Sequence, residues 1–303
     1  MGPARDVSAL RQLLAGLEAE RLPGEASSFT LGAAGTGEIA LGRGTLHEVQ
    51  AERGADQPAA AGFALALALR AGQAAHLPPI PASPAPLPLA GPGNAPPVPL
   101  RPGARPVLWV RQDMAEAELG RLDAAGLAGL GVDPAGLVLV RAPDAAAALR
   151  AGEDALRCSA LGAVLIEIWG APKVLDLTAT RRLCLRAAAA GVTGLLLRGA
   201  ARSVPTAVAT RWRVSPVPSL PLEGHAPGAP AFEVRLLRHR GGPEGRRVEG
   251  GTWKLEWDRE TCSFRDLPAL PRAVVPVPAG GPAGADPAPA GRERAVAPFR
   301  RAG

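Results

Sequence analysis

Four short, continuously apolar runs alternate with stretches of helical character between residues 107 and 197. The runs are Val107–Val110 (VLWV), Leu137–Val140 (LVLV), Ala163–Ile168 (AVLIEI) and Thr193–Leu197 (TGLLL). Between them the pattern predicts helices over about 114–130, 144–158 and 176–190. A strand that is apolar along its whole length has no face for water, so it must be covered on both sides. Strands of this kind separated by helices define an α/β fold with a mostly parallel sheet flanked by helices. An earlier strand, near Leu46–Gln50 (LHEVQ), leads through a short connection into the helical run FALALALRAG. The last two strands differ. Phe232–Arg238 (FEVRLLR) and Thr252–Trp257 (TWKLEW) alternate apolar and polar residues around a Gly/Arg loop. That pattern predicts an antiparallel hairpin at the C-terminal edge of the sheet.

Proline sets the outer limits of this core. Residues 77–106 hold 12 prolines and residues 268–303 hold 8. Proline fixes φ and lacks an amide donor, so neither segment can form a helix or an inner strand. The first reads as a solvated insertion, the second as a disordered basic Pro/Gly-rich tail. Ahead of the core, Leu10, Leu13, Leu14 and Leu17 mark one helical stripe ending near Leu22-Pro23-Gly24. The expected organisation is an N-terminal helix over 1–22, a core over 23–267 carrying the insertion, and the tail over 268–303.

Several classes are excluded by composition. No apolar stretch approaches the ~20 residues needed to span a bilayer, and the N-terminus lacks the apolar segment of a secretory signal. Cys158, Cys184 and Cys262 have no CxxC spacing, which predicts reduced thiols, no zinc site and a cytoplasmic protein. Of the 34 basic residues only Lys173 and Lys254 are lysines, a bias that high-GC codon usage explains. The net charge is +6, and residues 201–303, with 16 basic and 10 acidic groups, carry a surplus of that size. A basic final third is suited to phosphate contacts, or is simply a solvated face.

The connection after LHEVQ occupies the place of a phosphate loop. A working loop reads GxxxxGK[ST]: amides cradle the phosphates, lysine meets the β- and γ-phosphates, and the hydroxyl holds magnesium. Here Gly54 and Gly62 are present, and Phe63 and Ala64 are read at the lysine and hydroxyl positions. Glu167, near the end of AVLIEI, stands where a strand-terminal acid would hold the metal's water shell. With no lysine or hydroxyl beside it, no nucleotide, metal or other cofactor is expected. Asp113, after VLWV, is either a water-activating carboxylate or a solvated loop acid. No GxSxG motif or Cys–His pairing suggests a nucleophile, so no catalytic residue is assigned.

The order of blocks (LGRGTLHEV, the degenerate loop, VLWV, GLGVDPAGLVLVRA, AVLIEI, LDLTATRRL, ATRWRV, then FEVRLLRHRGG and TWKLEWD) resembles the ImuA family of inducible mutagenesis proteins, distant relatives of the RecA recombinase. The similarity covers roughly residues 7–260, and GLGVDPAGLVLVRA and LDLTATRRL are its most specific blocks. The resemblance implies a RecA-like fold and an accessory part in translesion DNA synthesis after damage, without chemistry of its own. Partners it implies are an ImuB-like, catalytically dead Y-family polymerase homologue and an error-prone replicative-type DNA polymerase, with RecA and DNA as further candidates. Two other functions fit the same fold: a DNA-binding RecA-type ATPase, and a RecA-like protein inhibitor of cell division.

Contacts to DNA or a partner are sought among the basic residues. Arg181 and Arg182 lie on a helix beside Asp176. Arg211 and Arg213 flank Trp212, which alternation places inward, and an arginine–aromatic cluster can stack bases or anchor an interface. Arg235, Arg238, His239 and Arg240 form the densest basic run. Phe299, Arg300 and Arg301 form a candidate docking motif in the tail. His47 reads as a satisfied core or edge histidine, and Cys158 and Cys184 as packing residues.

Overall fold

The computed structural model describes residues 28–36, 39–73, 104–200, 204–240 and 251–268. The chain divides into units 1–268 and 269–303. The N-terminal helix, nearly all of the proline-rich insertion, and the tail with Phe299, Arg300 and Arg301 lie outside the described residues.

The runs that read as buried strands form one sheet. In chain order the strands are β1 (Ser28–Thr30), β2 (Ala40–Gly42), β3 (Leu46–Ala51), β4 (Val107–Gln112), β5 (Leu137–Ala142), β6 (Ala163–Trp169), β7 (Thr193–Gly199), β8 (Thr210–Pro216), β9 (Ala231–His239), β10 (Thr252–Asp258) and β11 (Ser263–Asp266). β1 and β2 make a separate antiparallel pair; the other nine follow the order β11-β10-β9-β8-β3-β7-β6-β4-β5. From β8 to β5 every pairing is parallel, and from β8 to β11 every pairing is antiparallel. The expected hairpin is β9–β10, but β11 lies outside it and forms the edge.

Helices cover both faces, as apolar parallel strands require. The first is α1 (Gln57–Ala71), followed by α2 (Asp113–Leu119), α3 (Ala124–Gly129), α4 (Ala145–Ala155) and α5 (Leu177–Ala190). Alternate residues of each strand serve the two cores. Val49, Trp109, Leu165 and Leu197 pack on the α1 side, with Trp212, Phe232, Trp257 and Phe264. Leu46, Leu108, Val164 and Leu196 pack on the other side, against α4 and α5. α1 is buried on nearly every side, Phe63 to Ala68 almost completely. It is therefore the central helix of the α1 side rather than an amphipathic surface one.

The single helix expected over about 114–130 is two short ones. Gly120, at φ 80°, ends α2, and the Asp123 carboxylate caps α3 by accepting from the Gly126 amide at 2.7 Å. Asp144 and Asp176 cap α4 and α5 in the same way, accepting from Ala147 and Ala179.

Candidate functional site

In an open α/β sheet the ligand-binding end is formed by the loops after the strands' carboxyl ends, where β3 is followed by α1. β3 ends at Ala51 and α1 begins at Gln57, joined by an exposed turn over Gly54–Asp56. A strand–GxxxxGK[ST]–helix unit puts its lysine at the helix start. Here that register runs from Ala51 to Pro58, with Gln57 in place of lysine and Pro58 in place of the hydroxyl. This corrects the sequence reading, which put those positions at Phe63 and Ala64. Gly62, Phe63 and Ala64 lie inside α1, and Phe63 is fully buried with its ring 5.1 Å from that of Phe264 and 6.0 Å from that of Trp212. Asp56 followed by Pro58 was the available signal, because proline in the first turn marks a helix start.

The residues present do not fit a magnesium nucleotide. Gln57 is uncharged, and neither its amide nitrogen nor its oxygen has a hydrogen-bond partner although the side chain is buried. Pro58 removes one of the amides that would otherwise face a phosphate. Glu167, on β6, is committed elsewhere: its Oε2 accepts from Arg111 Nε at 3.0 Å, with both side chains almost wholly buried. Burial raises the Glu167 pKa; Arg111, and more weakly Trp109, pull it back. Arg111 also donates to the carbonyls of Gly120 and Ala115, tying the end of β4 to α2. Asp113, the other candidate acid, is half-exposed and paired with Arg141 at 3.1 Å. Among the described residues no three His, Cys, Asp or Glu side chains gather as metal ligands.

On the opposite face of the same sheet end lies an ionic cluster that the sequence reading missed. Glu48 is fully buried; it accepts from Thr206 Oγ1 and Gln50 Nε2, each at 2.6 Å, and from Arg211 Nε at 3.1 Å. Arg198, also buried, holds Nη1 3.7 Å from the same carboxylate. Arg211 further donates to the Val204 carbonyl, and Arg238 to the Thr206 carbonyl. The cluster thus fixes the chain on its approach from β7 to β8. A carboxylate in the middle of the inner strand LHEVQ was the signal for it, since a buried charge must be paired.

This geometry sorts the candidate contacts. Trp212 is fully buried and donates to Thr210 Oγ1, so it offers no face for base stacking, and Arg211 belongs to the Glu48 cluster. Arg213 and Arg235 are register partners on β8 and β9 and share Glu52, at 3.7 and 3.1 Å. His239 is buried, and Arg238 is engaged with Thr206. Arg181 and Arg240 are exposed. Arg182 is exposed as well and lies 4.0 Å from Glu153. RLLRH, on the inner strand β9, is therefore a structural segment more than a free basic patch. Among the contacts singled out on described residues, Arg181, Arg182 and Arg240 are the exposed ones, while Arg213 and Arg235 are part-exposed and paired with Glu52.

His47 is an internal histidine, as read. Trp212 donates to Thr210 Oγ1, whose hydroxyl lies 2.9 Å from His47 Nδ1, while His47 Nε2 lies 3.0 Å from the Gly42 carbonyl. This chain assigns the proton to Nε2. Burial, with a smaller push from His239, lowers the His47 pKa to about 4.

Taken together, the strand order and the β3–α1 unit match a RecA-like α/β layout, with Gln57 and Pro58 at the start of α1. Its relatives are narrower than that class. Over 150 residues the chain is 39% identical to Protein ImuA of Caulobacter vibrioides, in strain NA1000 / CB15N and equally in strain ATCC 19089 / CIP 103742 / CB 15. The match takes in 46% of this chain and 57% of the relatives, so the chain spans little more than half the length of the curated proteins it matches. The similarity supports the resemblance to ImuA proteins that the sequence blocks carry. No family model matches the chain. Among the described residues no helix is long and apolar enough to cross a membrane.

Proposed function

We propose that this protein acts in DNA-damage-inducible mutagenesis as a non-catalytic accessory of error-prone translesion synthesis in the cytoplasm. It is not an enzyme on this reading. It is an adaptor for an ImuB-like Y-family polymerase homologue and an error-prone replicative-type DNA polymerase, within the SOS response, where RecA and DNA are further contacts. The observation that carries the reading is the β3–α1 connection. Gln57 and Pro58 cannot supply the charge or hydroxyl that Mg-ATP needs, while the surrounding RecA-like sheet is intact. A fold that keeps its frame without its nucleotide chemistry is suited to holding partners. The similarity to Protein ImuA supports the inducible-mutagenesis part of this reading.

Two measurements test this. Equilibrium binding of a fluorescent ATP analogue with magnesium should show no saturation at micromolar concentrations; micromolar affinity would favour the RecA-type ATPase instead. Pull-down from damage-treated cells should recover the two polymerase-type partners. Recovery of cell-division proteins without them would favour the inhibitor.

A further inference from the structure

Three of the six large apolar side chains that remain exposed among the described residues, Val174, Leu177 and Leu185, lie on α5 or just before it. Leu177, Arg181, Leu185 and Ala188 recur at helical spacing and form one outward stripe, turned away from the side that buries Leu183 and Ala187. The flanks of the helix are engaged. Arg182 and Arg186 face Glu153 of α4, and Cys184 donates to the Ala207 carbonyl. Arg181 stands between the two leucines, one turn from each, with no ion-pair partner among the described residues.

The chain enters the described structure beside this helix. Ser28, the first described residue, is the register partner of Gly42 on β2. Two residues further on, a Cβ added at Gly44 would stand 3.2 Å from the Ala187 carbonyl and from Gly191, at the C-terminal end of α5. Residues 23–27 can span about 17 Å when extended, a distance of the same order as the step from Ser28 through Gly42 and Gly44 to α5. Ahead of them lies the stripe Leu10, Leu13, Leu14 and Leu17, which the sequence predicts to be helical. A helix with one apolar stripe is stable only when that stripe is covered. Glu18 and Glu20 border it and carry the charge that complements Arg181 and Arg182.

We propose that the outward face of α5 is a docking surface for the N-terminal leucine stripe of the same chain, with Leu177, Leu185 and Ala188 covered by the four leucines and Arg181 facing the bordering glutamates. The occupant is the chain's own segment because a connection this short holds the stripe near α5 at about millimolar effective concentration, above that of any second copy in dilute solution. The contact is internal to the domain and does not rest on the translesion reading.

Hydrogen exchange of the full-length protein, read by mass spectrometry, tests it. Peptides covering residues 8–18 should exchange more slowly than a free chain. Leu185→Asp and Leu177→Asp should each accelerate them by about tenfold or more, the factor that burial of one leucine represents. Both leucines are more than half exposed in the core, at 63% and 53%, and an acid at Leu177 suits the first turn of α5. Unchanged exchange in β6 and β7 shows that the variant is folded. Three results would overturn the proposal. Free-chain exchange of 8–18 in the wild type means that no docked helix forms. Equal protection in the wild type and a folded variant means that the stripe docks elsewhere and α5 is left to another partner. Protection that disappears on dilution means that the occupant belongs to a second copy.

Discussion

Arg111 and Glu167 stand opposite each other on the adjacent parallel strands β4 and β6, and Arg111 Nε meets Glu167 Oε2 at 3.0 Å in a nearly water-free setting. A buried pair of this kind contributes little beyond what apolar replacements would, yet its halves cannot be separated cheaply. Arg111→Leu leaves a buried carboxylate alone and should cost about 3–5 kcal/mol in urea unfolding. The double variant Arg111→Leu/Glu167→Leu should cost less than the single one. A double variant as unstable as the sum of its singles would mean that the two residues act independently.

His47 makes the fold sensitive to acid. Its folded pKa is about 4 against 6.5 for the free side chain. Between those values the unfolded chain takes up a proton that the folded one refuses, so stability is complete above about pH 6.5 and declines as pH falls toward 4. The whole loss is roughly 3 kcal/mol at 1.36 kcal/mol per pKa unit. Burial is the largest cause; of the groups facing it, the Gly42 carbonyl opposes the shift and His239 adds to it. Its Nε2–H is engaged by the Gly42 carbonyl, Nδ1 needs the Thr210 hydroxyl proton, and His239 lowers its pKa further. His239 is itself lowered by burial, which adds slope in the same direction. Chemical unfolding from pH 7 to pH 4 should show the slope, and His47→Gln should flatten it.

Glycine substitutions should separate helix propensity from packing. At Gly62, inside α1, an added Cβ would meet only the Phe232 ring, at 3.6 and 3.7 Å, which is ordinary contact. Gly62→Ala should therefore raise stability by about 0.5–1 kcal/mol, the helix-interior advantage of alanine. At Gly152 of α4 the same methyl would come within 2.3 Å of Ile166 Cδ1. Gly152→Ala should lower the melting temperature where Gly62→Ala raises it, and thermal melts of the two variants decide the matter.

How far the sequence reached follows from the range of the forces involved. Strands such as VLWV and AVLIEI were legible because continuous apolarity is a local property that only a doubly covered strand tolerates. The split of one helix into α2 and α3 was missed although Gly120 and the Asp123 cap were there to read, because the apolar pattern runs across both. Phe63 was placed in the phosphate loop because glycines were matched before the helix start was fixed; its aromatic neighbours come from β8, β9 and β11. The arginines were the least legible. Whether Arg211 faces solvent depends on which strand lies beside β3, and β8 reaches that position from more than 150 residues away.

Glu48 carries the last prediction, because the cluster around it joins the sheet to the β7–β8 connection. Glu48→Gln preserves shape but leaves Arg198, which is fully buried, without its counter-charge. A cation left unpaired in that position should cost about 3–5 kcal/mol. The consequence is also local, since Thr206 loses its charge-assisted acceptor and Arg211 its anchor beside Val204. Hydrogen exchange under native conditions should then accelerate at the amides of Val204, Thr206 and Ala207 before it does in β4 or β6. Glu52→Gln is the control, because Glu52 is partly exposed and its pairs with Arg213 and Arg235 are surface ones, worth under about 1 kcal/mol. Equal losses in the two variants would mean that burial of the Glu48 cluster contributes nothing beyond an ordinary surface pair.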